Sequence, residues 1–157
     1  MVNKIKSFIW KHRSYAKAIL ISFLAKRTVY TNEYITERLN NQIPNLYKGG
    51  WRHVLDSRYW TVDKTTFEAM VKSGWSWRRS YLAEKFDCDD FAVAFKGRMA
   101  ELFGINSVGI MIDWSSKHAY NILILDDGSV HAFEPQAGLW ARLGSDNYQC
   151  KDGVLIL

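Results

Sequence analysis

The sequence predicts an α+β fold, because helical spacing of apolar residues ends at Gly104 and strand-like alternation follows it. Before that glycine, apolar residues recur at intervals of three and four, which is typical of helices packed on a core. After it, three segments alternate with a period of two and predict strands: 107–113, 118–125 and 129–136. This order predicts a central helix packed on a small antiparallel sheet.

Length and composition indicate one globular domain spanning residues 1–157. The hydrophobic content of 48% and aromatic content of 15% can build a packed core and exclude a disordered chain. Two cysteines, Cys88 and Cys150, are too few for a disulfide framework. They could still pair with each other, but a reduced chain is the simpler expectation. Neither a CxxC pair nor a spaced histidine pair offers a zinc site.

The first 30 residues carry much of the excess positive charge and predict an amphipathic helix. Its apolar positions follow helical spacing: Ile5, Phe8, Ile9, Ala16, Ile19, Leu20, Phe23 and Leu24. We expect this face to pack on the domain, and binding to a membrane surface is the alternative, since basic residues flank the helix. The apolar run 18–25 is too short to span a bilayer and lacks a signal-peptide cleavage site, so a cytoplasmic location is expected. No nucleic-acid recognition motif is found, and no nucleic-acid partner is expected.

Capping residues place two more helices in the first half of the chain. Thr31 is a candidate N-cap for a helix reaching residue 41. A helix from residue 61 or 63 is expected to end at Gly74, with that glycine in the left-handed conformation. The stretch 47–60 predicts irregular chain, and residues 141–157 predict a C-terminal tail.

Cys88 occupies the first position of the best-defined predicted helix, residues 88–103, for which Asp87 is the N-cap. Unpaired backbone N–H groups at a helix start favour a thiolate. Asp89 and Asp90 oppose that charge, so a positive partner is needed, and an imidazolium can also protonate a leaving group. Cys88 is therefore the candidate nucleophile.

His118 begins a predicted strand, and Glu134 lies near the end of the next one, where it can orient the imidazole. If residues 126–128 form a three-residue loop with Gly128 left-handed, His118 and Glu134 share one face of the hairpin. A two-residue loop would place them on opposite faces. Each residue alone has an ordinary structural explanation; together with Cys88 they predict a catalytic triad of the papain type.

Three motifs in this order resemble the C-terminal domain of the Marasmius fungal agglutinin, a domain that also occurs in stand-alone bacterial and phage proteins. They are Asp-Cys-Asp-Asp-Phe-Ala at 87–92, His-Ala-Tyr-Asn at 118–121 and Glu-Pro-Gln at 134–136. The resemblance covers about residues 31–140. Residues 1–30 contain no sugar-binding trefoil, so lectin activity is not implied.

The resemblance implies a papain-like fold and a calcium-dependent cysteine protease. By this resemblance, Cys88 is the nucleophile, His118 the acid and base, and Glu134 the orienting carboxylate. It also implies a protein or peptide substrate. The residues that it places near calcium are Asp89, Asp90 and Gln136.

Three other functions fit the same residues. A cell-wall peptidase or amidase also opens a helix with Asp-Cys, although a small Ser-Gly pair usually follows where Asp89 and Asp90 stand here. An acyl transferase acting on an amine uses the same triad. A catalytically inactive module that keeps the fold to bind protein is the alternative from a different class.

Overall fold

A computed structural model describes residues 14–44, 51–75 and 80–157 of the chain. Its helices are α1 (residues 14–24), α2 (Asn32–Gln42), α3 (Lys64–Gly74) and α4 (Cys88–Phe103). Its strands are β1 (Thr28–Thr31), β2 (Trp51–His53), β3 (Arg58–Thr61), β4 (Val108–Asp113), β5 (His118–Ile124), β6 (Val130–Glu134), β7 (Leu139–Ala141) and β8 (Gly153–Ile156).

The strands form a six-stranded sheet and a separate two-stranded one, which confirms the α+β class. The large sheet has the order β2-β8-β4-β5-β6-β7, and β1 pairs with β3. All pairs are antiparallel except β2 with β8, which are parallel. The expected small antiparallel sheet is therefore corrected to a larger, mixed one.

Apolar residues on the two faces of the large sheet form two core clusters. One cluster joins α3 and α4 to the sheet, through residues that include Phe67, Phe91, Phe95, Met99, Leu123 and Phe133. The other joins α2 to the opposite face, through residues that include Ile35, Leu39, Tyr120, Ile122, Ile124 and Ala132. Alternation along β5 sends successive side chains to different clusters, as a strand covered on both faces requires.

The predicted helix starts are confirmed. Thr31 accepts a hydrogen bond from the Tyr34 N–H at 3.3 Å, and Asp63 accepts one from the Thr66 N–H at 2.9 Å. α4 begins after Asp87 and ends at Gly104, whose φ of 61° is the left-handed C-cap conformation.

The predicted C-cap at Gly74 is wrong. Gly74 is the last residue of α3, and Trp75 caps the helix in the right-handed region. A Cβ at Gly74 would lie 2.7 Å from the Phe103 ring, so the glycine is required by close packing of α3 against α4 rather than by its φ.

The hairpin of β5 and β6 has the predicted register. Ile122 pairs with Ala132, and the Leu125 N–H donates to the Ser129 carbonyl at 3.0 Å across a three-residue loop. Gly128 closes that loop with φ at 76°, the left-handed conformation expected of it.

The segment 141–157, predicted to be a tail, contributes an internal strand. β8 lies between β2 and β4, and Leu155 and Leu157 are buried. Cys150, which lies in this segment, is 3% exposed. Both cysteines are free, so the Cys88–Cys150 pair does not form.

The stretch 47–60 was expected to be irregular, yet it contains β2 and most of β3. β2 has three residues and β3 has four. Strands this short carry too little alternation to be recognised in a sequence.

α1 turns its large apolar side chains outwards, against expectation. Ile19, Leu20, Phe23 and Leu24 are exposed, while Ala18 is buried in the core. The part of the predicted helix before residue 14, including Ile5, Phe8 and Ile9, lies outside the described residues.

Candidate functional site

His118 and Glu134 lie side by side at one end of the large sheet. His118 begins β5 and Glu134 ends β6, and the His118 Nε2 atom is 2.7 Å from the Glu134 Oε2 atom. The hydrogen bond predicted from the hairpin register is therefore present. Both side chains are largely buried, at 21% and 12% exposure, so water screens the pair only weakly.

Two further donors hold the Glu134 carboxylate. The Tyr148 hydroxyl donates to Oε2 at 3.0 Å, and the Gln136 N–H donates to Oε1 at 2.9 Å. Burial alone would raise the pKa of Glu134, but the hydrogen bonds from His118, the Gln136 backbone and Tyr148 outweigh it and lower that pKa. The carboxylate is therefore charged and fixed in place. Tyr148 lies in no recognisable motif, so sequence reasoning missed it.

Strand alternation sets the face of β5 on which His118 lies. Alternation along β5 puts His118 on the face of Tyr120, whose ring centroid lies 5.9 Å away, and that face is covered by α2. α4 packs on the other face, where the Asn121 side-chain amide donates to the Ala92 carbonyl at 3.0 Å. Among residues 14–44, 51–75 and 80–157, no hydrogen bond joins the Cys88 thiol to His118.

Cys88 lies instead in an acidic cluster at the start of α4. Ligand atoms of Asp87, Cys88 and Asp89 all lie within 4.8 Å of one another. A hydrogen bond to Asp89 raises the pKa of Asp87, and the same bond lowers the pKa of Asp89. The two carboxyl groups are therefore electrostatically linked, and a bound cation would relieve the repulsion between them.

One of the expected calcium ligands lies in this cluster. Asp89 belongs to the cluster, with Asp87 as a further member that the expected ligand set omitted. The Asp90 carboxylate accepts from the Asp87 N–H at 3.4 Å, in the manner of a capping box. The Gln136 N–H is bonded to Glu134. Calcium binding stays a prediction.

A cleft of about 400 Å³ opens between α3 and the turn that joins β6 to β7. The residues that line it are Glu68, Val71, Lys72, Trp75, Phe133, Ala137, Gly138, Leu139 and Trp140. The volume is in the range of small-molecule sites, and the mixture of aromatic walls with two charged groups is typical of them.

Hydrogen bonds fix both tryptophans of the cleft. The Trp140 indole N–H donates to the Glu68 Oε1 atom at 2.8 Å, and the Trp75 indole N–H donates to the Pro135 carbonyl at 2.7 Å. The Lys64 ammonium lies 5.1 Å from the Trp140 ring centroid, within cation–π range. The aromatic surfaces are therefore held in fixed orientations before any ligand arrives.

Sequence reasoning missed this cleft, because its lining comes from three segments that are far apart in the chain. Residues 68–75, Phe133 and residues 137–140 meet only when α3 packs on the sheet. Tryptophan content alone was a signal, since the chain has seven, but large aromatics are equally typical of a core.

A protein-family model described as the ricin-type beta-trefoil lectin C-terminal domain matches residues 25–157. The chain belongs to this family. The expected relation to the C-terminal domain of a fungal lectin is confirmed by this match. No curated protein matches the chain significantly.

Solved structures show the same fold. The Polyporus squamosus lectin, solved with the human-type influenza-binding epitope Neu5Aca2-6Galb1-4GlcNAc, is 23% identical with a TM-score of 0.64, over 82% of this chain and 49% of that one. A structure described as the PSL1a–E64 complex is 25% identical with a TM-score of 0.64, over 82% and 51%. The chain spans about half the length of these structures.

The expectation of a cysteine protease is contradicted. The matching family is the C-terminal domain of a beta-trefoil lectin and one structural relative is a lectin, so peptide-bond hydrolysis, a peptide substrate and a papain-like fold are not supported. The two other enzymatic alternatives, a cell-wall peptidase or amidase and an acyl transferase, use the same triad and are not supported either. The module without catalytic activity is the alternative that these findings favour. The grouping of Cys88, His118 and Glu134 as one site stays a prediction.

Proposed function

We propose that this chain is a binding domain without catalytic activity, and that its ligand is a glycan held in the cleft between α3 and the β6–β7 turn. The observation that carries the proposal is the fixed aromatic lining of that cleft, with charged groups at its edge. Family membership and the glycan bound by the Polyporus squamosus lectin support this ligand class.

The chemistry of a sugar matches this lining. One face of a pyranose ring presents C–H groups that pack on an aromatic or aliphatic surface, here Trp140 and the 63%-exposed Leu139. Its hydroxyl groups donate and accept hydrogen bonds, for which the Glu68 carboxylate and the Lys72 ammonium are suitable partners. Because the indole N–H of Trp140 is already bonded, its ring can serve as a packing surface.

Positive charge beside the cleft favours an acidic sugar. Lys72 lines the cleft, and Lys64 lies over Trp140. A carboxylate on the ligand would gain from both ammonium groups, whereas Glu68 is already engaged by the indole. The epitope bound by the lectin relative contains the sialic acid Neu5Ac. We therefore expect a sialylated glycan to bind more tightly than the same glycan without its sialic acid.

The experiment is a calorimetric titration of the full chain with Neu5Aca2-6Galb1-4GlcNAc and with its asialo form. Trp140→Ala should weaken binding at least about tenfold, because it removes the packing surface. Trp60→Ala is the matched control, since Trp60 is a 39%-exposed tryptophan on β3, outside the cleft lining. Thermal unfolding of both variants checks that they fold.

Three results would overturn the proposal. One is a failure of both glycans to bind at millimolar concentration. Another is an equal loss of affinity in Trp60→Ala and Trp140→Ala. The third is cleavage of a protein substrate that Cys88→Ala abolishes, which would show that the chain is an enzyme after all.

We also propose that calcium binds at the start of α4, through Asp87 and Asp89. Their carboxylate oxygens are ligands of the kind that calcium prefers, and they lie close enough to share one ion. The Cys88 sulfur is a poor calcium ligand and would remain outside the coordination shell. Bound calcium would neutralise the two carboxylates and fix the helix start.

A further inference from the structure

We infer that α1 docks this domain on an anionic lipid surface. The helix carries an exposed apolar stripe, lies in a basic part of the chain and is rigidly attached to the domain. Docking through α1 would be independent of the cleft and of the ligand proposed there.

Large apolar side chains form a continuous stripe on the outer side of α1. The members of the stripe are exposed to different degrees: Tyr15 at 50%, Ile19 at 51%, Leu20 at 56%, Phe23 at 85% and Leu24 at 69%. Spacings of three and four residues place them on one side of the helix. An exposed group of this size, with aromatic and aliphatic members together, is typical of an interaction surface.

The opposite side of α1 packs on the core, so the helix cannot turn this stripe inwards. Ala18 is fully buried in the core, and Ile21 and Ala25 pack against it from the same side. The Arg27 guanidinium donates to the Phe103 carbonyl at 2.7 Å and to the Ser22 carbonyl at 2.7 Å. These bonds join the end of α1 to the end of α4, so the apolar stripe is held facing solvent.

The positive charge around α1 indicates which kind of partner fits the apolar stripe. Residues 1–31 contain seven of the 21 lysines and arginines and none of the 16 acidic residues. The rest of the chain, with 14 basic and 16 acidic residues, has a formal charge of −2. Lys17 and Lys26 are exposed beside the stripe. A helix with an apolar face in a basic part of the chain is the pattern expected at the surface of an anionic membrane.

Other occupants fit this surface less well. A symmetric contact between two copies would bring Lys17 and Lys26 of one copy close to those of the other, and these like charges would repel each other. Nucleic acid matches the charge but offers no apolar layer for Phe23 and Leu24. None of the described helices is long and apolar enough to cross a membrane. An anionic lipid surface meets both requirements: acyl chains for the stripe and headgroups for the lysines.

The experiment is co-sedimentation of the full chain with vesicles of phosphatidylcholine alone or of equimolar phosphatidylcholine and phosphatidylserine. We expect the chain to bind the anionic vesicles only, and we expect added salt to weaken that binding. The double variant Phe23→Ser with Leu24→Ser should bind at least about tenfold more weakly, because it removes the two most exposed anchors. Lys17→Glu should weaken binding about fivefold or more.

Leu55→Ser is the matched control, because Leu55 is 68% exposed and lies outside α1. It should bind like the unmodified chain. The inference is overturned if neither vesicle binds, if both bind equally, or if Leu55→Ser loses as much affinity as the double variant. It is also overturned if light scattering shows a dimer that the double variant converts to a monomer while vesicle binding is absent. These vesicles carry no carbohydrate, so the result is independent of glycan binding.

Discussion

Replacing Glu134 with glutamine tests whether the His118–Glu134 pair stabilises the sheet end. The substitution keeps the shape of the side chain but removes the charge that three donors share. Hydrogen bonds to a charged group contribute about 1.5–3 kcal/mol each, and the cost of burying the carboxylate offsets part of that sum. We expect a loss of about 2 kcal/mol in the free energy of unfolding, which lowers Tm by about 4–8 °C for a chain of this length.

The pH dependence of this loss gives the sharper test. Because the pKa of Glu134 is lowered in the folded state, its stabilising effect is complete above the ordinary glutamate pKa and disappears as pH falls through the lowered one. The difference between the unmodified chain and Glu134→Gln, measured by urea denaturation, should therefore be constant near neutral pH and shrink in acid.

Glu101→Gln is the control for this measurement. The Glu101 carboxylate pairs with Arg98 at 3.1 Å on the surface and is 71% exposed. Surface pairs of this kind contribute about 0–1 kcal/mol. If both variants lose the same stability, or if the loss in Glu134→Gln does not change with pH, the pair has no special role at the sheet end.

The remaining predictions concern the two thiols, one glycine and the acidic cluster. Burial raises the pKa of Cys150 to about 12, so iodoacetamide at pH 8 should label Cys88 in the folded chain and Cys150 only after unfolding, as peptide mass spectrometry would show. Equal labelling of both in the folded chain would contradict this burial. Gly153→Ala should lower stability by at least about 2 kcal/mol in urea denaturation, because φ is 147° and a Cβ would collide with the Ile112 carbonyl; an unchanged midpoint would refute the collision. Calcium affinity, measured by calorimetry, should rise with pH as Asp87, whose pKa is raised, loses its proton. A flat pH profile would mean that Asp87 is not a ligand.

Local features of the fold were predictable from the sequence. The caps at Thr31 and Asp63 and the loop at Gly128 depend on a few neighbouring residues, and the structure has them where expected. Once the loop length was fixed, alternation alone placed His118 beside Glu134. The hydrogen bond between them follows from local rules.

Long-range features were not predictable in the same way. β8 pairs with strands that are 40 or more residues earlier, and no local pattern near residue 153 indicates a partner. The apolar stripe of α1 was assigned to the core, because periodicity shows that a face exists but not which side the core covers. Ala18, the residue that does pack inwards, has a small side chain that a hydrophobicity pattern undervalues.

Function was the least predictable property. Cys88, His118 and Glu134 suggest a triad by type and order; the structure shows the His118–Glu134 hydrogen bond, and their grouping with Cys88 stays a prediction. Motif order identified the family relation, whereas the activity expected with it was contradicted.

The position of β8 between β2 and β4 sets an order in which the chain can fold. β4, β5 and β6 are consecutive and can pair as soon as they have been synthesised. β2 cannot pair until β8, about 100 residues later in the sequence, is available. Until that strand arrives, one edge of β4 has unpaired backbone groups, which can capture a strand from another molecule. Efficient folding therefore depends on how quickly the last strand enters the sheet.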